Sequence, residues 1–391
     1  MDHQQLESPP ADSTQRPNRA RLFRLIVLCA VALILVAMSI GAELGARHYE
    51  RTRVTAPDYF PSMYYPHRRL RYGLVPGLDY YGWFKINSLG FRGREFSPKK
   101  ATGVLRIVCL GASTTFDVGS VGQHHPWPEV LEAELQRILG TTSLEVLNLG
   151  IPGSTSLDSL IDLQMRAIAF EPDLVVVYQA HNDFSYSFPA PTQSDLFPQE
   201  DRPRGSIRRW LTIHSLLYSK TEGRVADMFS RLLGAVSFGS KPSGPKPDPR
   251  PALDKGLAEY RSNLRAIAAI TNENKIELVL PEIVVPFPVE GAATRCKVCD
   301  GLSGAYGGLP IEDIRARYKA YNDSLLELGT RPGTHFIATG DFVPASDENY
   351  HDPVHFGPKG SVAMGSHLAE AMAPLIRDLT PKTKASLEVR D

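Results

Sequence analysis

The chain has 391 residues, 42% of them hydrophobic, and its 43 basic side chains are balanced by 43 acidic ones. That is enough for one large domain or two modest ones with a real core, and the charge balance removes any general electrostatic attraction to nucleic acid. Four cysteines are too few for a disulfide-built scaffold, so specificity has to come from a local site.

Residues 1–20, rich in Gln, Ser, Pro and Arg, carry no periodic apolar pattern, and 1–24 read as a disordered cytoplasmic tail. The run Leu25 to Ala42 is free of charge, and at ~20 residues per crossing it predicts a transmembrane helix over 25–43. Arg16, Arg19, Arg21 and Arg24 precede it. The positive-inside tendency therefore predicts a single pass through the inner (cytoplasmic) membrane, with everything after it on the periplasmic or extracellular side. Arg47, Arg51 and Arg53 on the far flank oppose that orientation. A cleavable signal peptide whose apolar core ends near Ala37 to Ala42 is the alternative, and it too delivers the remainder out of the cytoplasm.

Residues 44–100 form an aromatic-rich lead-in: Tyr64, Tyr65, Tyr72, Tyr80, Tyr81, Trp83 and Phe84 lie among turn signals such as Pro76-Gly77 and Asn87-Ser88-Leu89-Gly90. Short strands or a hairpin are expected, their aromatics covering an edge of the core in preference to forming a carbohydrate platform beside Arg68, Arg69 and Arg71.

From 101 to 379 strand and helix patterns alternate. Strands are expected at Leu105–Leu110, Leu144–Leu149, Asp173–Tyr178, Ile276–Val285 and His335–Ala338. Helices are expected at Trp127–Leu139, Leu157–Phe170, Leu253–Asn272, Ile311–Leu328 and Gly360–Ile376. The result is an α/β domain, a flavodoxin-like three-layer α/β/α sandwich with a parallel sheet. The pattern breaks in a Pro-rich and then Lys/Pro/Gly-rich insertion, 188–251, which suits either a lid or docking arm or a peripheral decoration. Residues 380–391 are a C-terminal tail.

Ser113, in Gly111-Ala112-Ser113-Thr114-Thr115, stands just past the first strand of this alternation. Ligands bind beyond the carboxyl ends of strands in such sheets, which makes Ser113 a candidate nucleophile, although similar turns also cap helices. A serine hydroxyl needs a base and a carboxylate to orient that base. Asp352 and His355, three residues apart ahead of the last helix, fit those roles. Between them in sequence, Asn148-Leu149-Gly150-Ile151-Pro152-Gly153 follows the second strand, where the Gly150 N–H can approach an anionic oxygen without a side chain in the way. His181-Asn182-Asp183 follows the third, where the Asn182 amide is a second donor.

These four motifs, in this order, resemble the conserved blocks of the SGNH (GDSL-like) hydrolase superfamily: Gly111-Ala112-Ser113, Asn148-x-Gly150-x-x-Gly153, Ala180-His181-Asn182-Asp183 and Asp352-x-x-His355. Ile86-Asn87-Ser88-Leu89-Gly90-Phe91-Arg92-Gly93 is similar to a lead-in of some bacterial members. The resemblance implies ester hydrolysis or acyl transfer without metal or cofactor. It implies a triad of Ser113, His355 and Asp352, with an oxyanion hole made by the Ser113 and Gly150 N–H groups and the Asn182 side chain. Two positions depart from the pattern: Ala112 stands where the name-giving motif has Asp, and Ala180 replaces the usual Gly, where an added methyl narrows the pocket or shifts Asn182.

Of the remaining candidates, Cys296 and Cys299 have metal-ligand spacing without a second pair nearby, and in an oxidising compartment a small disulfide loop is expected. His124 and His125 read as an exposed loop, and His181 as a packed neighbour of Asn182 or a substrate contact. The expected function is an extracytoplasmic serine esterase acting on acyl esters, O-acetyl groups of cell-envelope polysaccharide foremost. The partners expected are that glycan or small-molecule substrate and the membrane, with no nucleic acid. A polysaccharide O-acyltransferase with the same triad, and a non-catalytic glycan-binding or assembly protein on the same fold, are the alternatives.

Overall fold

In the computed structural model the described residues are 19–53, 63–65, 67, 69–80, 82–185, 215, 218, 250–289, 296–340 and 342–388. The insertion 188–251 therefore lies outside them except for Ser215, Tyr218 and the first two residues of a helix, and so does most of the N-terminal tail.

Helix α1 (Arg19–Arg53) holds the apolar run, and Arg21–Tyr49 is long and apolar enough to cross a membrane, with none of its most apolar window buried in the protein. Near its C-terminal end Ala46 packs against the lead-in. The lead-in itself is two antiparallel hairpins, β1 (Tyr64–Tyr65) with β2 (Gly73–Leu74) and β3 (Asp79–Tyr80) with β4 (Phe84–Lys85). Its aromatics are packed as expected: Tyr80, Trp83 and Phe84 are buried in a cluster with Leu70, Leu74, Ile86, Phe116 and Ile151. Phe116 and Ile151 belong to the main domain, so the lead-in is fused to it by a shared apolar core.

The main sheet consists of five parallel strands, β5 (Leu105–Gly111), β6 (Leu144–Asn148), β7 (Leu174–Tyr178), β8 (Glu277–Pro281) and β9 (Thr334–Ile337), in the order β6-β5-β7-β8-β9. Every residue of β5 and β7 is buried, which is why both read as unbroken apolar runs. Helix α3 (Trp127–Leu139) packs against the C-terminal helix α10 (Pro358–Glu388). A second group is built around α6 (Arg250–Glu273), which touches α4 (Ser156–Asp162), α5 (His181–Ser185) and α9 (Ile311–Leu328), the last preceded by the short helices α7 (Lys297–Asp300) and α8 (Leu302–Ala305). The strand order is that of the flavodoxin-like sandwich.

Several boundaries differ from the sequence expectation. The helix expected over 157–170 continues past α4 as a wider turn at Leu163–Ala167 and a tight one at Ile168–Phe170. The strand expected to reach Val285 stops at Pro281, because the edge strand β9 is only four residues long and offers no partner beyond Ile337. Helix α10 extends well past Ile376 into the expected tail.

The sheet order reverses at β5: one crossover leads to β6 and the next to β7 on the other side. In open α/β sheets the crevice at such a switch point, beyond the carboxyl ends of the strands, is where ligands bind.

Candidate active site

Ser113 opens the short helix α2 (Ser113–Phe116) two residues past the end of β5, at that switch point. It is half-buried, so its hydroxyl is reachable. As the first helical residue, it has an N–H that takes no part in helix bonding. The helix is pinned on all sides. Thr115 Oγ1 donates to Tyr178 O at 3.0 Å, and Trp127 Nε1 donates to Thr114 O at 2.9 Å. From the lead-in, the buried Arg92 guanidinium donates to Phe116 O and Asp117 O at 2.7 Å each, and also to Ser120 O. It lies 4.8 Å from the Phe116 ring centre. Burial lowers the Arg92 pKa to about 10, which still leaves it charged at neutral pH. Arg92 thus satisfies the carbonyls that a four-residue helix cannot satisfy itself, a role hidden in the sequence behind its place in a lead-in motif.

Asp352 and His355 reach the same spot from the loop before α10. His355 Nε2 lies 2.8 Å from Ser113 Oγ, and His355 Nδ1 lies 2.7 Å from Asp352 Oδ2. The other carboxylate oxygen, Oδ1, accepts the N–H groups of Val354 at 2.7 Å and His355 at 2.8 Å. Burial alone would raise the Asp352 pKa. The hydrogen bond and charge of His355, with those two backbone donors, outweigh burial and hold it at about 2. An ionised carboxylate only accepts, so Nδ1 carries the proton and Nε2 faces the serine hydroxyl as a base.

The expected oxyanion donors fare differently. The Gly150 N–H, expected to face substrate, is engaged instead with Asn148 Oδ1 at 3.0 Å. Position 150 needs glycine for another reason: a Cβ there would stand 2.2 Å from Phe116 N, so Gly150 is where the second strand's loop presses on α2. The Asn182 amide donates to Ser154 O at 2.8 Å, and one of its two N–H bonds is thereby accounted for. Between Gly150 and Asn182 runs a tight Pro152-Gly153 turn, closed by Ser154 N–H on Ile151 O at 3.1 Å, with Gly153 half-exposed at φ +83°. Ile151 N–H and Ser154 Oγ both donate to Gly111 O at 3.0 Å, which seats this turn beside Ser113. The Pro-Gly pair was a readable turn signal. What the sequence hides is which of two glycines presses on the core and which faces outward.

Asp183 is buried under the site rather than in it: its carboxylate accepts the Ser156 N–H and hydroxyl and the Gln179 amide, fastening the start of α4. Burial raises its pKa to about 6. His181 is buried too, with Nδ1 2.6 Å from Tyr318 Oη and 3.1 Å from Tyr306 Oη. Burial, then the nearby charge of His355, lowers its pKa to about 3, so it is a neutral, packed neighbour of Asn182. The Ala180 methyl is buried in the sheet core, not in the crevice. His124 and His125 are exposed, with His125 Nδ1 2.9 Å from Glu129. Cys296 and Cys299 form a disulfide, and among the described residues no group of three His, Cys, Asp or Glu is placed to hold a metal.

Residues 109–363 match the sequence model of the GDSL-like Lipase/Acylhydrolase family. Among solved structures the chain is similar to a lipase/acylhydrolase from Enterococcus faecalis, at 16% identity over 69% of this chain and 96% of that one, TM-score 0.41. It is also similar to a catalytic mutant of an acetylxylan esterase from Geobacillus stearothermophilus, at 13% identity over 69% and 95%, TM-score 0.41. An α/β hydrolase from the metagenome of Lake Arreo, Spain, matches at 16% identity over 69% and 95%, TM-score 0.40. No curated protein matches.

Proposed function

Since the chain belongs to the GDSL-like lipase/acylhydrolase family and is an ester hydrolase, we propose that it works as a serine esterase through Ser113, His355 and Asp352, outside the cytoplasm, on O-acyl and foremost O-acetyl esters of envelope glycans. The observation that carries the mechanism is the unbroken chain from Ser113 Oγ to His355 at 2.8 Å and from His355 to Asp352 at 2.7 Å, the relay that makes a serine hydroxyl nucleophilic.

His355 Nε2 takes the Ser113 proton as Oγ attacks the ester carbonyl. Asp352 holds the Nδ1–H and balances the imidazolium that results. The tetrahedral oxyanion is received by the Ser113 N–H, the second N–H of the Asn182 amide and, in place of Gly150, the Gly153 N–H. Collapse expels the alcohol, protonated by His355, and leaves an acyl-serine. Water, deprotonated by the same imidazole, attacks this ester, releases the acid and restores Ser113.

A place outside the cytoplasm is supported by the apolar helix before the site and the four arginines ahead of that helix. The disulfide between Cys296 and Cys299 suits that oxidising side. O-acetyl groups of envelope polysaccharide are esters within reach of a site tethered on that side.

The test is labelling of the full-length, detergent-solubilised chain with a fluorophosphonate probe, followed by acetate release from acetylated oligosaccharides. Labelling in the wild type that is absent from Ser113→Ala and His355→Ala is expected. A folded wild type that takes no label would remove the serine mechanism. Acetate transferred to a sugar in preference to water would make the chain a transferase.

A further inference from the structure

The turn assigned above as an oxyanion donor is gripped from behind by the lead-in. Ile151 to Ser154 form a four-residue turn with Pro at the second position and Gly at φ +83° at the third, which is the type II form. In that form the central peptide stands across the plane of the turn. The peptide is trans and planar, so the Pro152 carbonyl points to one side and the Gly153 N–H to the opposite side.

On the carbonyl side stand two hydroxyls from one hairpin, Tyr64 on β1 and Tyr72 just before β2. Tyr72 Oη donates to Pro152 O at 3.0 Å, and Tyr64 Oη donates to the same oxygen at 3.3 Å. Their rings meet edge to face, with centroids 5.0 Å apart. Arg71 donates to the next carbonyl, Gly153 O, at 2.7 Å and lies 3.5 Å from the Asp158 carboxylate on α4. On the other side the same turn meets the site: Ser154 O receives the Asn182 amide, and Ser154 Oγ and Ile151 N–H sit on Gly111 O.

We propose that Tyr64 and Tyr72, seconded by Arg71, are positioning residues for catalysis: by holding the Pro152 carbonyl they aim the Gly153 N–H at the oxyanion. Two donors on one carbonyl fix the direction of a peptide plane more tightly than the turn's single closing hydrogen bond does. A Pro-Gly turn exchanges its type by flipping that very peptide, and the tyrosines oppose the flip. The lead-in is thereby part of the catalytic apparatus through its hold on this turn. This inference rests on the Ser113 mechanism given above.

Its test is the full-length Tyr64→Phe/Tyr72→Phe double variant, which keeps both rings and removes both hydroxyls, assayed on a chromogenic acyl ester. Removal of a whole oxyanion donor lowers turnover roughly 10²–10³-fold; misaiming one is expected to lower kcat about tenfold or more with KM changed less than about twofold. Phosphonylation by the fluorophosphonate probe should slow in parallel, and the shape of the kcat pH profile should stay as in the wild type, since the triad is untouched. Tyr65→Phe, on the same hairpin, serves as the control and should match the wild type. An unchanged kcat in the folded double variant, or a loss confined to KM, overturns the proposal. Should the double variant fail to fold, Tyr72→Phe alone reads the same quantity. Failure of the wild type to take the probe would instead overturn the Ser113 reading, so the two failures are distinguishable.

Discussion

The two halves of the candidate site are supported in opposite ways. Ser113 is held by residues remote in sequence, with Arg92, Trp127 and Tyr178 each bonding to the short helix it opens. The Asp352-His355 pair is organised within its own four residues, the carboxylate gathering the two backbone N–H groups that follow it as well as the imidazole. The candidate nucleophile is placed by the whole fold, whereas the candidate base is placed by a local turn. The two are joined where Ser120 Oγ meets Ser361 Oγ at 2.8 Å, and where Tyr178 stacks on Phe356 with centroids 6.0 Å apart. Damage to the residues that brace the first half should therefore appear in stability and activity together, and damage to the second in activity alone.

The largest expected effect separates chemistry from folding. Ser113→Ala should lower kcat by roughly 10⁴–10⁶ and Asp352→Asn by roughly 10²–10⁴, both with urea midpoints near the wild type. An Asp352→Asn protein that unfolds early would break the comparison, since it would make the local turn structural. Arg92→Met comes next. It keeps the stem and strands three buried carbonyls, so a cost of about 3 kcal/mol or more in urea unfolding is expected, together with a fall in kcat. Unchanged stability would mean that α2 does not depend on the lead-in.

A smaller effect is read in the pH dependence of stability. His181 titrates near 3 in the folded chain against an ordinary 6.5, so the unfolded chain binds the extra proton and stability declines as pH falls from about 6.5 to 3. Asp183 titrates near 6 against an ordinary 3.8, so its term has the other sign: stability present below 3.8 is lost as pH rises through 6. The two oppose each other between pH 4 and 6. His181→Gln should uncover the Asp183 term, with a stability loss on the order of 1–3 kcal/mol between pH 4 and 6 in denaturant titrations. A flat profile in that variant would show that Asp183 keeps its ordinary pKa. The smallest effect is reduction of the Cys296-Cys299 disulfide, whose short loop predicts about 2 kcal/mol, with probe labelling of Ser113 retained.

Much of this was legible in the chain itself. Buried parallel strands announce themselves as apolar runs, and Ser113, Asn182, Asp352 and His355 sit in short motifs whose spacing follows from strand and helix ends. The failures share a cause. Gly150 and Gly153 are three residues apart in one motif, and only the packing of Gly150 on Phe116 separates the glycine that needs space from the one that needs a positive φ. Tyr64, Tyr72 and Arg92 act across the boundary between lead-in and sheet on backbone carbonyls, which carry no sequence signature. Short strands such as β1 to β4, two residues each, have no period to detect.

The hydrogen bond between Ser113 and His355 closes over a separation of 242 residues. A ribosome adding about 5–20 residues per second makes the serine, its helix and the lead-in that braces them on the order of ten seconds to a minute before it makes the imidazole. On the proposed mechanism, a nascent form that lacks His355 carries a serine alcohol without its base. On that mechanism Ser113 gains its base only when the segment that holds His355 has been synthesised and docked.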